Sequence, residues 1–205
     1  VTLWLETSAH SSKSNLSRVR ASNSLVKTML QKLLLVLTVV FAAVGSWAQE
    51  YSPKAGETIM KVAIEGRGNL YIKLFTAEAP KTTNHIMGLV RRNFYDGQRI
   101  FRVDRSPKPF LLQMGAPGSR TKGMDDPTLL TEGTGAKIPF EDSGFLHDQV
   151  GRVGLSAQPG DRNSGDAQFH ILLGPSRFLD GNYTVFGQVV GGLALLSRIE
   201  KGDRI

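Results

Sequence analysis

The sequence predicts an all-β domain, a closed barrel of short strands capped by two helices. Three observations predict it. From Gln49 onward, 21 of 157 residues are glycine and nine are proline, a density that breaks a chain into many turns and short strands. Apolar residues there alternate with polar ones at a period of two, as on strands with one buried face. Only two isolated stretches carry helical spacing, with the strand runs lying between them.

The elements follow in order. Val62 and Ile64 alternate with polar neighbours, as do Leu70, Ile72 and Leu74, and Gly66-Arg67-Gly68-Asn69 joins the two runs. That link is a hairpin turn, since glycine tolerates positive φ. A strand rather than a helix follows its Gly-x-Gly, which argues against a phosphate loop. Pro80 opens the first helix, where its missing N–H is no loss. Ile86, Leu89, Val90 and Phe94 supply its apolar stripe. Short β runs are expected at 99–103, 110–114, 152–157, 168–173 and 184–190. A second helix is expected at 193–200, with Leu195, Leu196 and Ile199 inward. No internal repeat is visible.

The upstream part reads differently. Residues 33–44 (LLLVLTVVFAAV) form an uncharged run of 12, preceded by Lys27 and Lys32 and followed by Ser46-Trp47-Ala48. A positive start, a short apolar centre and a small-x-small exit make a secretory signal peptide over 29–48, cleaved near Ala48. Spanning a bilayer takes about 20 apolar residues, more than 33–48 supplies, so no stable membrane insertion is expected after cleavage. Residues 1–28 precede Met29, are rich in Ser and Asn, and are expected to be a non-native or disordered segment. Residues 49–57 read as a linker and 58–205 as the folded domain.

Charge and composition narrow the function classes. The net charge is +7, but residues 1–48 hold five Lys/Arg against one Asp/Glu, and the remaining 157 hold 20 against 17. The excess belongs mostly to the leader and is poor support for a nucleic-acid surface. The absence of cysteine excludes disulfides, a thiol nucleophile, Cys-ligated zinc and iron–sulfur clusters. His10, His85, His147 and His170 show no metal-ligand spacing. Gly154-Leu155-Ser156-Ala157-Gln158 falls one glycine short of a hydrolase elbow. Asp161-Arg162-Asn163-Ser164-Gly165-Asp166 resembles half a calcium loop, but Leu172 stands where the closing glutamate belongs. Asn182-Tyr183-Thr184 is a glycosylation sequon by letter and reads as a turn.

A series of short motifs carries more. Phe75 with Ala79-Pro80-Lys81-Thr82 is followed by Ile100-Phe101-Arg102-Val103 and Phe110-Leu111-Leu112-Gln113-Met114-Gly115. Then come Gly133-Thr134-Gly135, Phe140-Glu141-Asp142 and Gln168-Phe169-His170-Ile171. Phe178-Leu179-Asp180-Gly181, with Tyr183 and Val185-Phe186-Gly187, closes the series. Together they resemble the motif series of the cyclophilins over 59–200. The resemblance implies an eight-stranded antiparallel β-barrel closed by two α-helices. It also implies peptidyl-prolyl cis–trans isomerase activity (EC 5.2.1.8), needing no cofactor and no metal.

The resemblance places roles on particular residues. Arg102 would be the donor at the proline nitrogen, and Gln113 would orient its guanidinium and contact substrate. Phe110, Leu111, Phe178 and Leu179 would line or border a proline pocket. Gln168 would bind the peptide backbone through its amide, and Ala157 and Gln158 would meet the residues before proline. His170 replaces a pocket aromatic and reads as a neutral, hydrogen-bonded wall residue rather than a pH sensor. Tyr183 stands where animal relatives have His, and Phe178 where they have Trp, which argues against tight cyclosporin binding. Phe101 replaces a His, and Pro159 replaces an Asn. Insertions at 104–109 and 116–132 are expected to flank the groove. Family members continue into a last strand that pairs with the first; with Ile205 the final residue, the barrel is expected to lack that strand.

The expected partners are proline-containing peptides and unfolded client proteins, without nucleic acid, for a monomeric protein of the bacterial periplasm or of secretion. A noncatalytic proline-peptide binder or holdase chaperone is the alternative, and Arg102 separates the two.

Overall fold

The computed structural model describes residues 51–205 and the single position Gln31. Apart from Gln31, the upstream segment 1–28 and the signal peptide 29–48 expected from the sequence lie outside the described residues.

β1 (Ile59–Ile64) and β2 (Gly68–Leu74) form the expected hairpin, with Ile64 opposite Gly68. Arg67 N donates to Ile64 O at 3.0 Å, and the turn uses Gly66 at φ 70° and Gly68 at φ 124°. A side chain with a Cβ resists those angles. Helix α1 (Pro80–Arg91) follows, with proline in its first turn. Its free N-terminal N–H groups find a remote acceptor: the Glu141 carboxylate takes Lys81 N at 2.9 Å and Thr82 N at 2.7 Å, as an anion at a helix N-terminus should. Ile86 and Leu89 are buried, whereas Val90 is exposed and lies off the expected stripe. Asn93 at φ 55° follows the helix, so Phe94 packs on the core from beyond the last turn.

The remaining strands are β3 (Arg102–Asp104), β4 (Leu111–Met114), β5 (Arg152–Leu155), β6 (Phe169–Leu172) and β7 (Val185–Gly191). β4, β5 and β6 fall within expected β runs, and β3 and β7 overlap theirs but end one residue beyond them. All pairings are antiparallel, in the order β1-β2-β7-β5-β6-β4-β3. Leu70, Ile72, Leu112, Phe169, Ile171 and Phe186 fill the interior with Ile86 and Leu89 of α1.

One expectation is corrected and another holds in part. The stretch expected as a second α-helix over 193–200 is a single 3-10 turn, Leu193–Ser197, entered through Gly192 at φ 77°. Leu195, Leu196 and Ile199 still face inward. The guanidinium of Arg105 binds Leu196 O and Ile199 O, both at 2.7 Å, giving the carbonyls partners outside a helical ladder. Second, the seven strands make a half-barrel rather than a closed eight-stranded one. Its ends, β1 and β3, are not paired with each other. Residues 203–205 stitch one corner of the gap. Ile100 N donates to Asp203 O at 2.9 Å and Ile205 N to Gln98 O at 2.8 Å, while Glu65 N reaches Arg204 O at 2.9 Å.

Candidate active site

Register places the site. Arg102 of β3 lies opposite Gln113 of β4, Gln113 opposite His170 of β6, and His170 opposite Gly154 of β5. Four residues therefore form one row across four strands, with the side chains of Arg102, Gln113 and His170 on one face.

Arg102 begins the row. Asp104 Oδ2 lies 2.8 Å from its Nε and 2.6 Å from its Nη2, and Nη1 donates to Gln113 Oε1 at 3.3 Å. The Phe110 ring lies 5.7 Å from the guanidinium carbon, within cation–π reach. The cation is thus fixed on two edges and against an aromatic face, yet its side chain remains 38% exposed and open to a ligand. Gln113 passes the chain of bonds on: its Nε2 donates to Gln168 Oε1 at 2.8 Å.

A cavity of about 380 Å³ opens beside this row. Phe110, Leu111, Leu179 and Tyr183 give it an apolar wall, part of a small cluster built on Leu172. Arg102, Gln113 and His170 supply its polar side, and Ala157 and Gln158 its far rim. A second, more polar cavity of about 230 Å³, lined in part by Glu132, Lys137, Asp161 and Asp166, adjoins it. Nine of the residues assigned to the site from sequence thus meet in the first cavity.

Gln168 and Phe178 do not. Both amide hydrogens of Gln168 are committed, donating at 2.7 Å to Leu129 O and to Glu132 O, and its Oε1 accepts from Gln113. At 5% exposed, it anchors the 116–132 loop with both amide hydrogens and lines the adjoining cavity. Phe178 is 73% exposed. Its ring sits 5.4 Å from Phe110 on the outer rim and faces a separate shallow pocket with Pro159 and Arg162.

His170 is buried on the cavity floor, its Nδ1 3.3 Å from Ser156 Oγ and the Tyr183 ring edge-on at 5.8 Å. Burial, then His147, then Arg102 push its pKa down to about 3, so it is a neutral wall residue. Behind it lies His147, fully buried. Asp180 Oδ1 accepts from His147 N at 2.8 Å and lies 3.0 Å from its Nδ1. Burial works to raise the Asp180 carboxyl, but bonds from His147 and Arg177 outweigh it and hold the pKa below the ordinary value. His147 itself is shifted down, burial outweighing Asp180.

His147 and Asp180 escaped the sequence reading as site residues, although Asp180 sits in a quoted motif. So did Asp104 and the loop residues Pro127, Leu130 and Thr131, which also line the cavity. Asp104, two residues after Arg102 on one strand, offered a period-two signal. For the loop the signal was its extra length at 116–132, which singled out no residue. Of the two insertions, 116–132 supplies lining residues, while Arg105 ties 104–109 to Leu196 and Ile199.

Comparison with known proteins agrees with this geometry. The sequence model of the family described as cyclophilin type peptidyl-prolyl cis-trans isomerase/CLD matches residues 59–204. A peptidyl-prolyl cis-trans isomerase-like 1 of Gibberella zeae is 33% identical over 133 residues, 64% of this chain and 75% of that protein. A peptidyl-prolyl cis-trans isomerase-like 3 of Gallus gallus is 36% identical over 134 residues, covering 65% and 77%. A cyclophilin-type isomerase of Cryptosporidium parvum, crystallised in the presence of the dipeptide Ala-Pro, superposes with a TM-score of 0.58. That match is 21% identical and covers 72% of this chain and 92% of that one, a likeness of fold.

Proposed function

The chain belongs to the cyclophilin-type peptidyl-prolyl cis–trans isomerases, and on that premise we propose how its residues turn an X–Pro bond and in which clients. The bond resists rotation because amide resonance gives it double-bond character, a barrier of about 18–20 kcal/mol. Rotation at the twisted state localises a lone pair on the proline nitrogen. A donor aimed there stabilises the twisted state above either planar one, so it lowers the barrier. A rate gain of about 10⁵ needs roughly 7 kcal/mol.

Arg102 is that donor. Its guanidinium stays charged and offers N–H groups in a rigid fork. Asp104 and Gln113 hold the fork still, so little reorganisation is needed as the bond twists. The apolar wall of Phe110, Leu111, Leu179 and Tyr183 grips the pyrrolidine ring, while Ala157 and Gln158 face the residues before it. The neutral His170 completes the floor without a second cation. Proline peptides are the ligand class, and the observation carrying the reading is Arg102 on the rim of an apolar slot, bonded to Gln113 at 3.3 Å.

The proposed clients are exported proteins whose folding waits on X–Pro isomerisation, a step of roughly 10–100 s uncatalysed. The support is the segment 29–48, which reads as a secretory signal peptide and, with the absence of cysteine, favours the bacterial periplasm or secretion as the site of action. N-terminal sequencing of the mature protein tests it: a start at Gln49 is expected, and an uncleaved leader contradicts it.

The catalytic reading is tested by isomerase assay of the full chain on Ala-Pro and Gly-Pro peptides beside Arg102→Ala. A loss of about 100-fold in kcat/KM with retained peptide binding is expected, the scale of removing one transition-state donor. Wild-type binding without acceleration would make the protein a proline-peptide binder instead.

A further inference from the structure

The 116–132 loop is clamped on both sides of a single exposed leucine. Leu129 is buried against Phe101 and Ala116, and its carbonyl accepts from Gln168 Nε2 at 2.7 Å. Glu132 O accepts from the same nitrogen at 2.7 Å. The Glu132 carboxylate takes Gly118 N at 2.5 Å and pairs with Lys122. Asp126 caps the turn before Leu130, accepting from Thr128 N at 2.9 Å. Leu130 and Thr131 thus sit between two carbonyls pinned to one buried glutamine, and their backbone has little freedom.

Leu130 is nevertheless 48% exposed. It borders both the apolar cavity and its polar neighbour. Gln113, Thr131, Ser156, Ala157 and Gln158 do the same, so these residues form the ridge between the two cavities. From the opposite bank Gln158 Nε2 reaches over and donates to Leu130 O at 3.2 Å. A peptide with its proline in the apolar cavity and its preceding residues over Ala157 and Gln158 must lay the residue before proline on this ridge.

We propose that Leu130 is a specificity-determining residue: its side chain packs on that of the residue before proline and selects an apolar one over glycine or a charge. The inference rests on the proline seat proposed above. A clamped, exposed leucine loses little conformational entropy when a partner covers it and removes apolar surface from water. A charged residue at the same place would be desolvated against it.

The test uses the full chain, with peptides carrying Leu, Gly or Glu before proline. Both kcat/KM and affinity by NMR titration are measured for the wild type, Leu130→Ala and Leu130→Met. The wild type should favour Leu-Pro. Leu130→Ala should lower the Leu-Pro to Gly-Pro ratio about tenfold, the scale of a small apolar contact in a specificity pocket. Gly-Pro turnover should fall by less than Leu-Pro turnover, and Leu130→Met should restore the ratio. An unchanged ratio overturns the proposal, and so does a faster Leu-Pro reaction in Leu130→Ala, which would make the leucine a steric bar. A wild type that binds with the expected ratio but never turns over sinks the isomerase reading and leaves this one standing.

Discussion

The imidazoles of His147 and His170 stack 5.4 Å apart beneath the apolar cavity, and neither Nε2 has a hydrogen-bond partner among the described residues. The Asp180 carboxylate beside His147 Nδ1 favours the tautomer with hydrogen on that nitrogen. The lone pair of His147 is thereby left on Nε2, turned toward the strand position occupied by Gly154 and facing its neighbour. Both rings are held neutral by burial.

Acid should therefore unfold this domain in a particular window. His170 has a folded pKa of about 3 against about 6.5 unfolded, and His147 shifts in the same direction. Between those values the unfolded chain binds more protons than the folded one, so stability falls as pH drops. The contribution is complete above pH 6.5 and is lost on descent toward 3, at up to about 1.4 kcal/mol per pH unit for His170. Urea melts from pH 3 to 8 should show this slope, and His170→Phe should flatten it. An unchanged slope in that variant would place the acid sensitivity elsewhere.

Gly154 is required by the same pair. A Cβ there would collide with the His170 ring at its Nε2 and come within 3.0 Å of His147 Nε2, on a strand whose backbone is fixed by both neighbours. Gly154→Ala should cost about 2–3 kcal/mol by overpacking. In a His170→Ala background the cost should shrink, since the ring that is struck is gone. Equal costs in both backgrounds, read from denaturant midpoints, would contradict this account.

Gln168→Glu should free the loop. The new carboxylate would face the carbonyls of Leu129 and Glu132, now donorless, where two N–H groups stood. Each stripped carbonyl costs about 1–3 kcal/mol. Amide exchange across 129–132 should accelerate by about tenfold or more, and the preference set by Leu130 should fade. Unaltered protection would show that packing of Leu129 alone holds the loop.

Asp104→Ala should lower kcat about tenfold with KM within about twofold, because the aspartate orients the donor without needing to touch substrate. Its backbone carbonyl, which accepts from Phe110 N at 2.9 Å, is retained. Combined with Arg102→Ala the loss should be no greater than for Arg102→Ala alone, a non-additivity that marks action through the arginine. Additive losses would give Asp104 an independent role.

Much of the fold was legible because strands announce themselves by alternation: Leu70, Ile72 and Leu74 are all buried in β2. Val90 was misplaced because the 3.6-residue period tolerates a wide stripe, and only packing decides its edge. The 193–200 segment read as α-helical from Leu195, Leu196 and Ile199, which a 3-10 turn buries equally well. Arg102, Gln113 and His170 were found by motif order, and cross-strand register explains why they meet. The bonds that tie Gln168 to the loop were not legible, because its partners are carbonyls of an irregular loop, and backbone groups leave no trace in residue type. His147 and Asp180 meet across 33 positions, a distance at which no local pattern speaks.

The line of side chains from Arg102 through Gln113 and Gln168 to Leu129 has a direction. A guanidinium has no lone pair to offer, so Gln113 must turn its oxygen toward position 102 and its nitrogen away. Gln168 must then turn its own oxygen to meet that nitrogen, which leaves its hydrogens for the loop. One permanent positive charge at one end and two acceptor-only carbonyls at the other thus demand the same sense of both amides. A neutral residue at 102 would leave that sense in place, because the carbonyls of Leu129 and Glu132 still require the nitrogen of Gln168 and so keep the far wall of the groove moored.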